Sequence, residues 1–115
     1  MNWLPLDDES ALNRAIDLSY NNINGIVIFK HSTRCSISSV AKTRLSLKWD
    51  FGDELPIYYL DLIQFRFLSN LIAQKFNVRH ESPQLLLIKD GECIYHTSHL
   101  SISVKSLKEA LPIKA

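Results

Sequence analysis

Apolar and polar positions along the chain change period several times, and each change marks an element. Leu12, Ala15, Ile16, Tyr20 and Ile23 recur at spacings of three and four, which predicts one amphipathic helix over about residues 8–21. Asp7, Asp8 and Glu9 sit where a helix start favours negative charge, and Asn22 to Gly25 ends the run. "GIVIFK" (25–30) is short, continuous and β-branched, the signature of a buried central strand. Beyond "HSTRC" a second helix is expected, with Ile37, Val40, Ala41 and Leu45 as its inward stripe. "PIYYLD" (56–61) reads as a second strand opened by a proline. Leu68, Leu71, Ile72 and Phe76 mark a third helix.

"SPQLLLIKDGECIYHTS" then gives two strands joined across Lys89-Asp90-Gly91-Glu92. Asp-Gly between apolar runs is a strong hairpin signal. Val104, Leu107 and Leu111 place a terminal helix closed by Pro112. The order is α-β-α-β-α-β-β-α. It predicts one α/β domain over 1–115, with a mixed central sheet of about four strands flanked by helices. Trp3-Leu4 offers a short additional strand at the N-terminal edge. This is the layout of a thioredoxin-like fold, with ferredoxin-like and other α/β sandwiches as competitors.

Composition narrows the function more by exclusion than by suggestion. The chain has 115 residues, 46% hydrophobic and 22% charged, ordinary for a soluble globular domain. A formal net charge of +1 makes no electrostatic case for nucleic acid or an anionic membrane. No apolar run approaches the roughly 18–20 residues of a membrane span. The acidic start "MNWLPLDDES" lacks a signal-peptide layout. A cytoplasmic protein is therefore expected, and its two cysteines, Cys35 and Cys93, are expected to rest as thiols.

Cys35 is the residue with chemistry. It falls at the junction of a predicted strand and the following helix, where unpaired backbone N–H groups and the helix dipole stabilise a thiolate. Arg34 adds positive charge beside it. Lys30 does so too unless it points into solvent, and His31, four residues ahead, is a candidate to help activate the thiol. As an isolated cysteine it could instead be a small core residue, but Ser32, Thr33, Arg34 and Ser36 make a poor core segment. Ser38 stands where a C-x-x-C motif has its resolving cysteine. Its hydroxyl can hydrogen-bond the thiolate or the helix backbone, and a one-cysteine cycle follows: Cys35 attacks a disulfide, becomes a mixed disulfide and waits for an outside thiol. Cys93, inside the strand "ECIYHT", is expected to be structural. His31, His80, His96 and His99 show no metal-ligand spacing with the cysteines, so no metal is expected, and His80 and His99 are expected to be polar surface or loop residues. Pro83 opens a strand just after the third helix, the place where thioredoxin-like proteins carry a cis-proline facing the active cysteine. Ser82 and Pro83 are accordingly the candidates for positioning a disulfide.

"FKHSTRCSIS", "YYLDL", "LSNLIAQKF", "HESPQ" with "LLLIKDGE", and "SHLSI" resemble the YtxJ family of monothiol bacilliredoxins, over about residues 3–111. "KHSTRCSIS" and "HESPQ" are the specific motifs. Phe67 departs from the pattern, where a smaller residue or proline is expected. The resemblance implies removal of bacillithiol, a low-molecular-weight thiol, from S-bacillithiolated client proteins. Cys35 matches the family's active cysteine and Pro83 its thioredoxin-type proline. It further implies bacillithiol as co-substrate, no tightly bound cofactor, and bacillithiol or a reducing dithiol partner as the resolving thiol. A non-catalytic binding or adaptor module on the same scaffold is the alternative reading.

Overall fold

The computed structural model describes residues 1–113. Its elements in chain order are β1 (Trp3–Pro5), α1 (Glu9–Asn21), β2 (Ile26–His31), α2 (Ser36–Lys48), β3 (Ile57–Asp61), α3 (Arg66–Phe76), β4 (Gln84–Lys89), β5 (Glu92–Ser98), a 3₁₀ turn over His99–Ser101, and α4 (Val104–Ala110). The sheet has five strands in the order β1-β3-β2-β4-β5. β1, β3 and β2 run parallel, while β4 and β5 are antiparallel additions. The Trp3-Leu4 strand thus forms and completes the edge.

β2 lies at the centre and is buried along its whole length, because helices cover both faces of the sheet. On one face Ile26 and Ile28 pack with Ala11, Leu12 and Ala15 of α1 and Leu68 and Ile72 of α3. On the other, Val27 and Phe29 pack with Ala41 and Leu45 of α2 and Val104 and Leu107 of α4. The hairpin turns through Asp90 and Gly91, both at positive φ, as a two-residue turn matched to strand twist requires. Gly25 precedes β2 at φ +86°, and a Cβ there would meet the Ile88 carbonyl oxygen at 2.0 Å, so no other residue fits.

Two helix faces differ from the sequence expectation. Tyr20 and Ile23 are exposed, and the inner face of α1 ends on Ser19. Ser19 is buried because its hydroxyl accepts the Gly91 N–H at 3.0 Å and donates to the Ile16 carbonyl, tying α1 to the hairpin. On α2, Ile37 and Val40 face solvent, while Ser38, Ala41 and Leu45 are buried. The reason lies in what Ser38 binds.

Candidate functional site

Cys35 is the N-cap residue of α2, extended at φ −108° and ψ 121°, half-buried, and makes no side-chain cap. A Ser, Thr, Asp or Asn here would consume a first-turn N–H through its side-chain oxygen. Cysteine makes no such bond, so those donors keep no side-chain partner at the end of the helix where the dipole favours negative charge. The Cys35 N–H donates to the Ser32 carbonyl at 3.2 Å, and its carbonyl accepts the Ser39 N–H at 3.1 Å. The cysteine is therefore fixed by its backbone while its side chain stays free.

Sheet register brings the second motif to the same place. β2 and β4 pair from Ile26–Ile88 to Lys30–Gln84. The next residues outward, His31 and Pro83, thus stand at one end of the sheet, where the loops after the parallel strands gather. The Ser82–Pro83 peptide is cis, and the Pro83 carbonyl accepts the His99 N–H at 3.0 Å. Ser82 Oγ is buried with no hydrogen-bond partner.

Ser38 does not serve the sulfur directly. Its Oγ lies 2.7 Å from His31 Nδ1 and accepts the Ser32 N–H at 3.0 Å; neither bond reaches Cys35. Of the two partners expected for this hydroxyl, the thiolate or the helix backbone, neither is the one it takes here; Ser38 acts as a brace that ties the end of β2 to the loop that carries the cysteine. His31 is 4% exposed, its ring 5.8 Å from that of Phe29 and 5.4 Å from that of Tyr59. Burial, then the nearby Lys42 charge, holds its pKa below the ordinary histidine value. Arg34 is exposed beside Cys35.

Lys30, read as adding charge beside Cys35 or pointing into solvent, and His80, read as a surface or loop residue, are both drawn inward. Lys30 is fully buried, facing α3, with Nζ 3.2 Å from the Ser69 carbonyl oxygen and 3.4 Å from His80 Nδ1. Charge alone suggests solvent, but a central strand covered on both faces has no outward side. His80 is half-buried and also meets Ser69 Oγ at 3.1 Å. Burial, with Lys30 and Arg66 nearby, holds its pKa below the ordinary value. The signal in the sequence is the position of Lys30 within the continuous strand "IVIFKH", buried at every residue.

Cys93 lies apart. It pairs with Ile88, five residues along β4 from Pro83 and hence roughly 17 Å away at the rise of a strand. A disulfide needs Cα atoms within about 7 Å. The Cys93 thiol donates to the Tyr95 carbonyl, and burial pushes its pKa up. Among the described residues no cluster of His, Cys, Asp and Glu is placed to hold a metal, and no helix is long and apolar enough to cross a membrane.

The family model for the monothiol bacilliredoxin BrxC matches residues 5–107. A solved structure described as a candidate oxidoreductase with a thioredoxin fold is 34% identical, covers 93% of this chain and 91% of its own, and superposes with a TM-score of 0.80. Thioredoxin from Fasciola hepatica (19% identity, 92% and 93% covered, TM-score 0.68) and thioredoxin O1 from Arabidopsis thaliana (14%, 96% and 98%, 0.70) share the fold.

Proposed function

Since this chain belongs to the monothiol bacilliredoxin family and is a thiol–disulfide oxidoreductase of thioredoxin fold, we propose that it removes bacillithiol from S-bacillithiolated proteins, with Cys35 as the single reacting sulfur. The Cys35 thiolate attacks the bacillithiol sulfur of the client's mixed disulfide. The client–bacillithiol S–S bond breaks as the Cys35–bacillithiol bond forms, and the client cysteine leaves as a thiolate that takes a proton from solvent. A second bacillithiol thiolate then attacks the bacillithiol sulfur, so that Cys35 leaves as thiolate and bacillithiol disulfide forms; a dithiol partner would instead take the bacillithiol as a mixed disulfide and release it by closing its own disulfide. No net oxidation of the enzyme remains after the cycle. Sulfur exchange of this kind draws on no tightly bound cofactor, and its setting is the reducing cytoplasm.

The observation that carries this reading is the uncapped first turn of α2 behind Cys35, at the same sheet end as the cis Ser82–Pro83 pair. The free N–H groups and the helix dipole offer stabilisation to the negative charge that sulfur carries during the exchange. Arg34 adds a solvent-side charge that salt screens. Ser82, with its unpartnered hydroxyl, and Pro83 hold the extended disulfide beside the sulfur. Family membership favours this over a passive adaptor. Treatment with oxidised bacillithiol followed by mass spectrometry should place one bacillithiol on Cys35. An adduct found elsewhere, or none, would overturn the assignment.

A further inference from the structure

Lys30 and Gln84 are partners in the β2–β4 ladder, and both are fully buried. Their side chains converge on the segment just before Ser82–Pro83. The Lys30 ammonium meets His80 Nδ1 at 3.4 Å and the Ser69 carbonyl at 3.2 Å, and Gln84 Nε2 donates to the Arg79 carbonyl at 2.9 Å. Two adjacent strands thus hold residues 79 and 80 from beneath, and through Lys30 they also hold α3.

Stability does not explain this lysine. Its partners are a neutral carbonyl and a histidine, and no carboxylate forms an ion pair with it among the described residues. The groups facing it are Ser69 from α3, His80 from the loop, Gln84 from β4 and apolar Leu60 from β3. Burial alone pushes its pKa down to about 8, the mark of a charge held in an unfavourable place. Nor does His80 need it, because Ser69 Oγ already reaches Nδ1 at 3.1 Å. An apolar side chain of similar length would fill the same space without the desolvation cost.

We propose that Lys30 is a positioning residue for disulfide exchange: with Gln84 it pins the 79–80 segment, and so fixes where Ser82–Pro83 presents an incoming disulfide to Cys35. This rests on the reading of Ser82 and Pro83 as the pair that holds the substrate. Lys30 touches neither sulfur. Its effect is on the geometry of attack, where displacements near an ångström are costly to rate.

The test compares wild type with Lys30→Met and Gln84→Met in three measurements. These are thermal midpoint, alkylation of Cys35 by iodoacetamide, and exchange with a short peptide whose one cysteine is disulfide-linked to bacillithiol. Iodoacetamide needs only the thiolate, whereas the peptide needs the proline segment as well. Lys30→Met should slow exchange about ten-fold or more while alkylation stays within about two-fold and the midpoint holds or rises. Gln84→Met should shift the ratio of exchange to alkylation in the same direction, and it carries the test if Lys30→Met fails to fold. Exchange unchanged in the folded variants, or exchange and alkylation falling together, overturns the inference. A wild type that alkylates but never exchanges with the peptide overturns the functional reading instead.

Discussion

Ser38 Oγ lies 2.7 Å from His31 Nδ1 and takes the Ser32 N–H on the same oxygen. One hydroxyl, at the position a dithiol protein gives to its second cysteine, joins the end of the central strand to the loop bearing Cys35. Removing it strips a partner from a buried imidazole and from a backbone amide. Ser38→Ala should therefore cost about 1–3 kcal/mol of stability, read from denaturant unfolding, and should leave Cys35 as the only residue that takes a disulfide adduct.

Ser38→Cys restores the C-x-x-C spacing. After one equivalent of a small disulfide, the wild type should retain a mixed disulfide on Cys35. The variant should instead expel the adduct and close a disulfide between Cys35 and the introduced thiol. Intact mass separates the two products. A variant that keeps its adduct would show that the brace geometry, and not the missing sulfur, stops the reaction.

The buried histidines set a pH dependence. His31 and His80 both have pKa values held below the ordinary 6.5, mainly by burial. Over the window between their folded values and 6.5 the unfolded chain binds more protons than the folded one, so stability falls as pH drops. Their contribution is fully present above 6.5. The thermal midpoint should decline on acidification from pH 6.5, and both imidazoles should titrate below 6.5 by NMR.

Cys93 should stay silent. Burial raises its pKa, and it lies on β5 opposite Ile88, at the end of β4 away from the proline. In the native protein near neutral pH, iodoacetamide should label Cys35 alone, with Cys93 labelled only after denaturation. Peptide mapping of the labelled protein checks this.

Much of this arrangement is legible in the sequence, and the exceptions share a cause. "GIVIFK", "PIYYLD" and the Asp90-Gly91 hairpin declare themselves because β-branched runs and turn residues act locally. The place of Pro83 after the third helix points to the cis bond that is present, although no local preference favours it. The inner face of α2 is misread by periodicity because Ile37 and Val40 compete with Ser38, Ala41 and Leu45. A serine wins burial there through partners six and seven residues away, the Ser32 N–H and His31. Ser19 displaces Tyr20 and Ile23 in the same way, through Gly91. Lys30 is hidden for the converse reason, since its charge argues for solvent while its strand allows none. Periodicity finds apolar contacts; polar side chains buried by a distant hydrogen bond lie beyond it.

The central claim is that one sulfur acts on bacillithiol-modified proteins. It is tested most directly by turnover of an S-bacillithiolated test protein with wild type, Cys35→Ser and Cys93→Ser, with excess bacillithiol as the resolving thiol. Wild type and Cys93→Ser should release the test protein's thiol at the same rate, and Cys35→Ser should show only the uncatalysed background. Loss of turnover in Cys93→Ser, or its survival in Cys35→Ser, would contradict the one-cysteine cycle.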